Sequence, residues 1–309
     1  MFIENMLTAA QQVAILAILV VAGLLCDKAG IYTEKASRLT NNLLFYIVTP
    51  AVIVESFLRV EMTPDSLNGL LMSALCGVII HVAAIVLTLP LFRRGDRDEN
   101  CVFKYASIYG NTGYMALPLA SAVLGEEGVF YCSAGIVVFN VFCFTHGVWL
   151  MRKEGDAFRF KKLLVNPGTI SLLIGLPLFL ANVSLPQVLA EPVGLLADLN
   201  TPLAMILFGT YLAHTRFRTL FSRPRAYAVA FFKLIVLPLL MIGCFYLMGL
   251  QGTLMTACVI TAAVPSANNT IMFAAKYDKD TGLASQTVSL VSILSIVTMP
   301  VMIALAGAI

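Results

Sequence analysis

Two short segments gather hydrogen-bonding side chains inside otherwise apolar sequence. The first holds Ser107, Gly110, Asn111, Thr112, Gly113 and Pro118, and the second Pro265, Ser266, Asn268, Asn269 and Thr270. Amides and hydroxyls with no base or metal ligand beside them do not cleave bonds, but they bind: their hydrogens go to anions and their oxygens to cations. A proline within a helix removes one backbone hydrogen bond and clashes with the preceding turn, so each segment is expected to break its helix. The break leaves partial positive charge at the N-terminus of one half and bare carbonyls at the C-terminus of the other. Such a site takes an anion at one end and Na+ or a proton-bearing water at the other. A plainer alternative is that Asn111, Thr112, Ser266, Asn268 and Asn269 hydrogen-bond between packed helices, at about 0.6 to 2 kcal/mol apiece. Tyr114, inside the first break, is read as packing or as stacking on a ligand.

Ionisable groups in apolar runs are the other candidates, because burying them in a membrane is costly and by default marks function. Asp198, Lys233 and His81 are therefore assigned to ion coupling. Lys233 could instead reach headgroups, and His81, with no acidic or histidine partner at helical spacing, could be a packed neutral imidazole. Glu55 is placed to pair with Arg59 four residues on, and His146, one turn from Trp149, reads as interfacial.

No catalytic pattern accompanies them. The sequence has no HExxH, no GxSxG and no glycine-rich phosphate loop with lysine. Asp96-Arg97-Asp98 and Asp278-Lys279-Asp280 alternate acids with a cation and are read as solvated turns. An enzyme is not expected, and no cofactor beyond a coupling ion, H+ or Na+. The seven cysteines are scattered, form no CxxC, and read as small buried hydrophobes.

The elements that must position these residues are membrane helices. Of 309 residues, 59% are hydrophobic and 12% charged, against roughly half and a quarter in a soluble domain. With about 20 residues needed per crossing, ten spans fit near 8–26, 37–58, 66–92, 102–124, 128–151, 163–183, 192–215, 225–249, 253–275 and 282–307. The runs are continuously apolar, which excludes the alternation of barrel strands. Of the 20 lysines and arginines, 18 fall in or at the edge of the odd-numbered connections. Since such residues accumulate in cytoplasmic loops, both termini are expected outside. A net charge of +3 leaves no strong basic surface, and no nucleic-acid partner is expected.

The chain reads as two halves, residues 1–151 and 163–309, joined by a central cytoplasmic loop at 152–162. Thr49-Pro50 is answered by Thr201-Pro202, Leu89-Pro90 by Leu237-Pro238, and GNTGYMALP by AAVPSANNT. Five spans per half is an odd number, so the second half enters the membrane inverted, a construction used by secondary transporters.

At GNTGYMALPLA and PSANNTIMFAAKYDKD, and again at NNLLFYIVTPAVI, the sequence resembles the auxin efflux carrier family, whose bacterial members are often named malate or malonate permeases. The resemblance covers nearly the whole chain. It implies ten helices in two inverted repeats, an architecture shared with bile-acid sodium symporters. Helices 1, 2, 6 and 7 would form a scaffold and homodimer face, and helices 3–5 and 8–10 a mobile transport domain. Helices 4 and 9 would cross at their prolines, with Asn111, Pro118, Pro265 and Asn268 or Asn269 contacting a small organic anion carried by an elevator displacement. The chain lacks the long central loop of many plant members and resembles a bacterial inner-membrane one. The expected function is secondary transport of a small carboxylate; the alternatives are a sodium-coupled, bile-acid-like anion symporter, a passive channel and a membrane enzyme.

Overall fold

A computed structural model of the chain describes residues 2–152, 167–213 and 223–309. The central loop expected at 152–162 therefore lies, after Arg152, outside the described residues, as do Arg216 and Arg218. The described residues are helical and contain no strand. In chain order the helices are α1 (Phe2–Lys28), α2 (Lys35–Arg59), α3 (Pro64–Leu91), α4 (Arg97–Ile108), α5 (Thr112–Met151) and α6 (Pro167–Leu180). They continue with α7 (Gln187–Ala213), α8 (Pro224–Leu247), α9 (Gly252–Ala263), α10 (Asn269–Lys276) and α11 (Thr281–Ala306). Six of these, α2, α3, α5, α7, α8 and α11, are long and apolar enough to cross a membrane, and α6 and α9 are shorter apolar helices. This is a multi-pass membrane protein.

At 40 residues, α5 would run about 60 Å if straight, twice the hydrocarbon layer. It turns at Gly125, whose backbone (φ 68, ψ −155) only glycine adopts without strain. Three prolines sit just after a widened turn rather than a plain α-turn. Thr49, Leu117 and Leu237 each donate their N–H five residues back, to Leu44, Thr112 and Phe232, immediately before Pro50, Pro118 and Pro238. The wider turn gives the ring room against the preceding carbonyls. Pro90, by contrast, lies in the last turn of α3, where little helix follows to be disrupted, so it does not occupy the mid-helix place that Pro238 holds in α8.

Three apolar clusters organise the packing. α3, α4, the end of α5 and α8 to α11 share the largest. α1, α2 and α7 share another, around Val20, Leu44, Val48 and Leu207. A third joins α2, α6 and the middle of α5 through Phe57, Phe130 and Phe179, whose rings lie 5.0 to 6.0 Å apart. Where α1 meets α7 the backbones nearly touch. A Cβ on Gly23 would stand 2.1 Å from the Ile206 carbonyl oxygen, and one on Gly209 2.0 Å from that of Val20.

The connections sort to two ends. Lys279 pairs with Asp98, and Arg223 and Arg225 pair with Glu99 at 3.5 and 3.4 Å, which ties the α3–α4, α7–α8 and α10–α11 connections together. At the opposite end the Met62 N–H donates to Asn182 Oδ1 (3.4 Å), and Arg59 lies 3.9 Å from Glu126. The two acidic loops are more than solvated turns. Asp96 caps α4 by accepting from the Asp98 and Glu99 N–H groups, Asp280 caps α11 through Leu283, and Lys279 reaches across to Asp98. Short acidic side chains flanking a helix start are built for that role.

Candidate functional site

The two polar segments break their helices and meet. Backbone leaves α-helix at Tyr109 to Asn111, between α4 and α5, and at Val264 to Asn268, between α9 and α10. The Asn111 N–H donates to the Pro265 carbonyl at 2.8 Å, and the Ala267 N–H to the Tyr109 carbonyl at 2.9 Å. Gly110 and Ser266 thus form a one-rung antiparallel bridge. In lipid, backbone groups released by a break must find partners inside the protein, and each break supplies them to the other. Ser266 Oγ adds a third link, donating to the Ala106 carbonyl at 2.6 Å. Gly110 is required by closeness: a Cβ there would lie 2.7 Å from Val264 Cγ2 and 3.1 Å from Lys233 Nζ.

Lys233 occupies the widened turn of α8 and is 1% exposed. Its Nζ donates to the Ile108 carbonyl, the C-terminal end of α4, at 3.5 Å. Among the described residues no carboxylate lies within ion-pair distance of it. Its sequence neighbours Phe232 and Leu234 belong to the large apolar cluster. Tyr114 stands on the other side, packed on the α1, α2 and α7 cluster with its hydroxyl donating to the Asn41 carbonyl at 3.4 Å.

The remaining residues divide by their bonds. Asn111 is buried and caps α5, its Oδ1 accepting from the Tyr114 N–H at 3.4 Å. Asn268 flanks α10 without a side-chain cap, and among the described residues Asn269 Nδ2 has only the Cys143 sulfur at 3.8 Å; both are half-buried. The hydroxyls of Thr112 and Thr270, at the first turns of α5 and α10, are buried with no hydrogen-bond partner among the described residues. Pro118 and Pro265 are buried, Pro118 in the turn that restarts α5.

Of the other two groups assigned to ion coupling, His81 lies beside the crossing, its ring 6.0 Å from that of Tyr109, and Asp198 lies apart from it. Asp198 is exposed, at the end of the first part of α7, in the neighbourhood of Arg59. His81 is buried on α3, its Nδ1 2.7 Å from the Gly77 carbonyl and its ring stacked on Phe142 at 5.1 Å, the geometry of a packed imidazole. Glu55 and Arg59 pair at 2.8 Å. Sequence reading passed over Tyr109 and took Cys143 only as a small buried hydrophobe. The Tyr109 hydroxyl donates to the Phe142 carbonyl, exposed by the widened turn at Cys143–Gly147, and lies 2.9 Å from His146 Nδ1. Cys143 Sγ is 3.1 Å from the Tyr105 hydroxyl. The only signal was position: Tyr109 directly precedes the Gly-Asn pair.

Residues 8–303 match the family model described as "Membrane transport protein". An "Uncharacterized transporter" of Methanothermobacter thermautotrophicus is 26% identical over 298 residues, 92% of this chain and 93% of the relative. A "Putative malonate transporter" of Rhizobium meliloti is 23% identical, over 91% of this chain and 90% of the relative. "Auxin efflux carrier component 1" of Arabidopsis thaliana is 29% identical over 134 residues, 42% of this chain and 21% of the relative.

Proposed function

The chain belongs to the auxin efflux carrier family of membrane transport proteins, a family of transporters rather than enzymes, and from that premise we propose that it is a secondary transporter of a small carboxylate. The carrying observation is the crossing backed by Lys233. An ammonium buried with one carbonyl and no carboxylate is several kcal/mol short of what water gave it, and an anion at the crossing offsets that deficit. The half-helix N-termini of α5 and α10 and the unpartnered Thr112 and Thr270 hydroxyls supply donors there. The amides of Asn268 and Asn269 add more. A carboxylate suits this set, and the name of the Rhizobium relative points to the same class.

The architecture we propose has ten spans as two inverted repeats, 1–151 and 163–309, with both termini outside the bacterial inner membrane. α4 with the start of α5, and α9 with α10, are then the fourth and ninth spans. The cluster of α1, α2 and α7 corresponds to a scaffold and that of α3, α4 and α8 to α11 to a transport body that slides against it as an elevator, with the cluster around Phe57, Phe130 and Phe179 as the face where the two meet. The scaffold, spans 1, 2, 6 and 7, would also be the homodimer face. Lys233 already places a cationic group on the carbonyl end of α4, so a Na+ at those carbonyls would have to compete with it. Uptake should therefore follow a proton or substrate gradient and be indifferent to Na+.

Purified protein in liposomes, given labelled mono- and dicarboxylates under imposed gradients, tests this. Saturable, gradient-driven accumulation of a small carboxylate is expected. Non-saturating flux would show a channel, and accumulation strictly dependent on Na+ would show the sodium symporter.

A further inference from the structure

Near its C-terminal end α5 departs from α-helix over Cys143–Gly147, a widened turn closed by the Val148 N–H donating five residues back to the Cys143 carbonyl. Turns of this kind are uncommon and gather at functional sites. This one touches both breaks at once. It releases the Phe142 carbonyl, which takes the Tyr109 hydroxyl at 2.9 Å, and the Tyr109 carbonyl in turn accepts from Ala267 in the second break. It also brings Cys143 Sγ to the Tyr105 hydroxyl at 3.1 Å and to Asn269 Nδ2 at 3.8 Å. Gly147 makes the room: a Cβ there would stand 2.9 Å from Tyr105 Cε2 and 3.1 Å from Tyr109 Cε2.

Cys143, Tyr105 and Tyr109 are fully buried, and the Tyr105 ring packs on those of Tyr109 and Phe273, with centroids 4.4 and 5.5 Å away. The sulfur is therefore a fixed point. What it meets is an amide with capacity to spare, since Asn269 carries two hydrogens and a carbonyl oxygen, and among the described residues one hydrogen alone is engaged, on Sγ. Sulfur is a weak acceptor. An oxygen in its place would hold the amide strongly and compete with a ligand, whereas a wall with no acceptor would let the amide turn. A thiol orients the side chain and leaves its second hydrogen for a carboxylate.

We infer that the widened turn of α5 is a positioning element of the crossing, and that Cys143 is the positioning residue in it that aims the Asn269 amide at the substrate. The inference rests on the reading above, in which Asn269 meets a carboxylate. Cys143 acts through Asn269 and not on the substrate itself. Its loss should therefore weaken recognition without slowing turnover, and only while the Asn269 amide is present.

KM and kcat for malonate are measured in liposomes for the wild type, for Cys143→Ala, Asn268→Ala and Asn269→Ala, and for Cys143→Ala combined with each asparagine variant. Cys143→Ala should raise KM roughly two- to fivefold, the lower range of one hydrogen bond, with kcat unchanged. The same rise should appear on the Asn268→Ala background and none on Asn269→Ala, because residues that share one contact do not add. A full rise on the Asn269→Ala background overturns the inference, and so does a Cys143→Ala effect confined to kcat or to the thermal midpoint. A second arm needs no transport. The infrared S–H stretching band of the full-length protein in detergent that Cys143→Ala removes should move in Asn269→Ala and again when malonate is added to the wild type. If the wild type carries no carboxylate, the proposed function fails and this band still decides on the contact: a band indifferent to Asn269→Ala overturns the inference. Should Cys143→Ala not fold, Tyr105→Phe, which strips the sulfur of its fixed neighbour, should raise KM with the same dependence on Asn269, and a rise that persists without Asn269 overturns the inference as well.

Discussion

The two breaks answer each other in sequence but are held in different ways. The first is committed to structure: Asn111 caps its own half-helix, the Ile108 carbonyl takes Lys233, and Gly110 is clamped between Val264 and Lys233. The second gives its backbone to the first and Ser266 to Ala106, yet leaves Asn268 uncapping and Asn269 against a sulfur, a poor acceptor. The first break is the more tightly framed, and the second leaves its amides loosely engaged. If so, equivalent substitutions in the two breaks should have unequal effects on stability.

The largest effect is expected at the clamp. Gly110→Val puts two methyl groups where a single Cβ already meets Val264 at 2.7 Å, and overpacking of this kind costs about 1 to 3 kcal/mol. Because both bridge hydrogen bonds flank that residue, transport should fall to background while membrane insertion, judged by expression and detergent extraction, persists. Flux above a tenth of wild type would show that the breaks can separate without loss.

Lys233→Met comes next, keeping the side chain's length and removing its charge. A hydrogen bond from a charged group is worth about 1.5 to 3 kcal/mol, so carboxylate kcat/KM should fall roughly 10- to 100-fold. Dicarboxylates should suffer more than monocarboxylates, since the second charge depends most on a nearby cation. Equal loss for both classes would assign Lys233 to holding α4 rather than to the anion.

How much of this was legible in the sequence follows from what kind of fact each residue carries. Asn111 and Pro265 stand out because an amide or a proline amid apolar residues is a local anomaly. Their 2.8 Å bond is the outcome of two helices breaking at matched depth. Lys233 was visible as an anomaly too, but nothing in its spacing says that α8 passes behind the crossing, because the place of a helix in a bundle is set by packing. Asp198 shows the converse: depth along a span was read without rotation about its axis, and its side chain is exposed. The pairing of Pro90 with Pro238 failed because dipeptides can match while their places in a helix do not.

A smaller effect separates framing from binding at Asn111. Losing an N-cap side chain costs about 0.5 to 2 kcal/mol, so Asn111→Ala should lower the thermal midpoint in detergent as well as transport. Asn111→Ser, which restores a capping oxygen but not the amide, should recover the midpoint. If transport recovers with it, Asn111 acts through the cap; if only the midpoint recovers, the amide also meets substrate.

The smallest change in stability is expected in the second break, and it is the sharpest test of the contrast. Asn269 gives up one long contact to Cys143 Sγ when truncated, and Asn268 gives up no side-chain cap at all. Surface-like truncations of this sort stay within about 0.5 kcal/mol, so Asn268→Ala and Asn269→Ala should melt with the wild type. Their effect should lie in substrate handling: each amide that donates to a carboxylate is worth about 0.5 to 1.5 kcal/mol, a KM raised roughly 2- to 12-fold with insertion and midpoint intact. A midpoint lowered as far as in Asn111→Ala would mean that both breaks are frames and that the unequal bonding seen here has no functional consequence. Unchanged midpoint with unchanged KM in both variants would pass recognition to the half-helix N-termini and the Thr112 and Thr270 hydroxyls. Thr112→Val and Thr270→Val would then be the substitutions to raise KM, since each replaces a buried, unpartnered hydroxyl by a methyl of the same size.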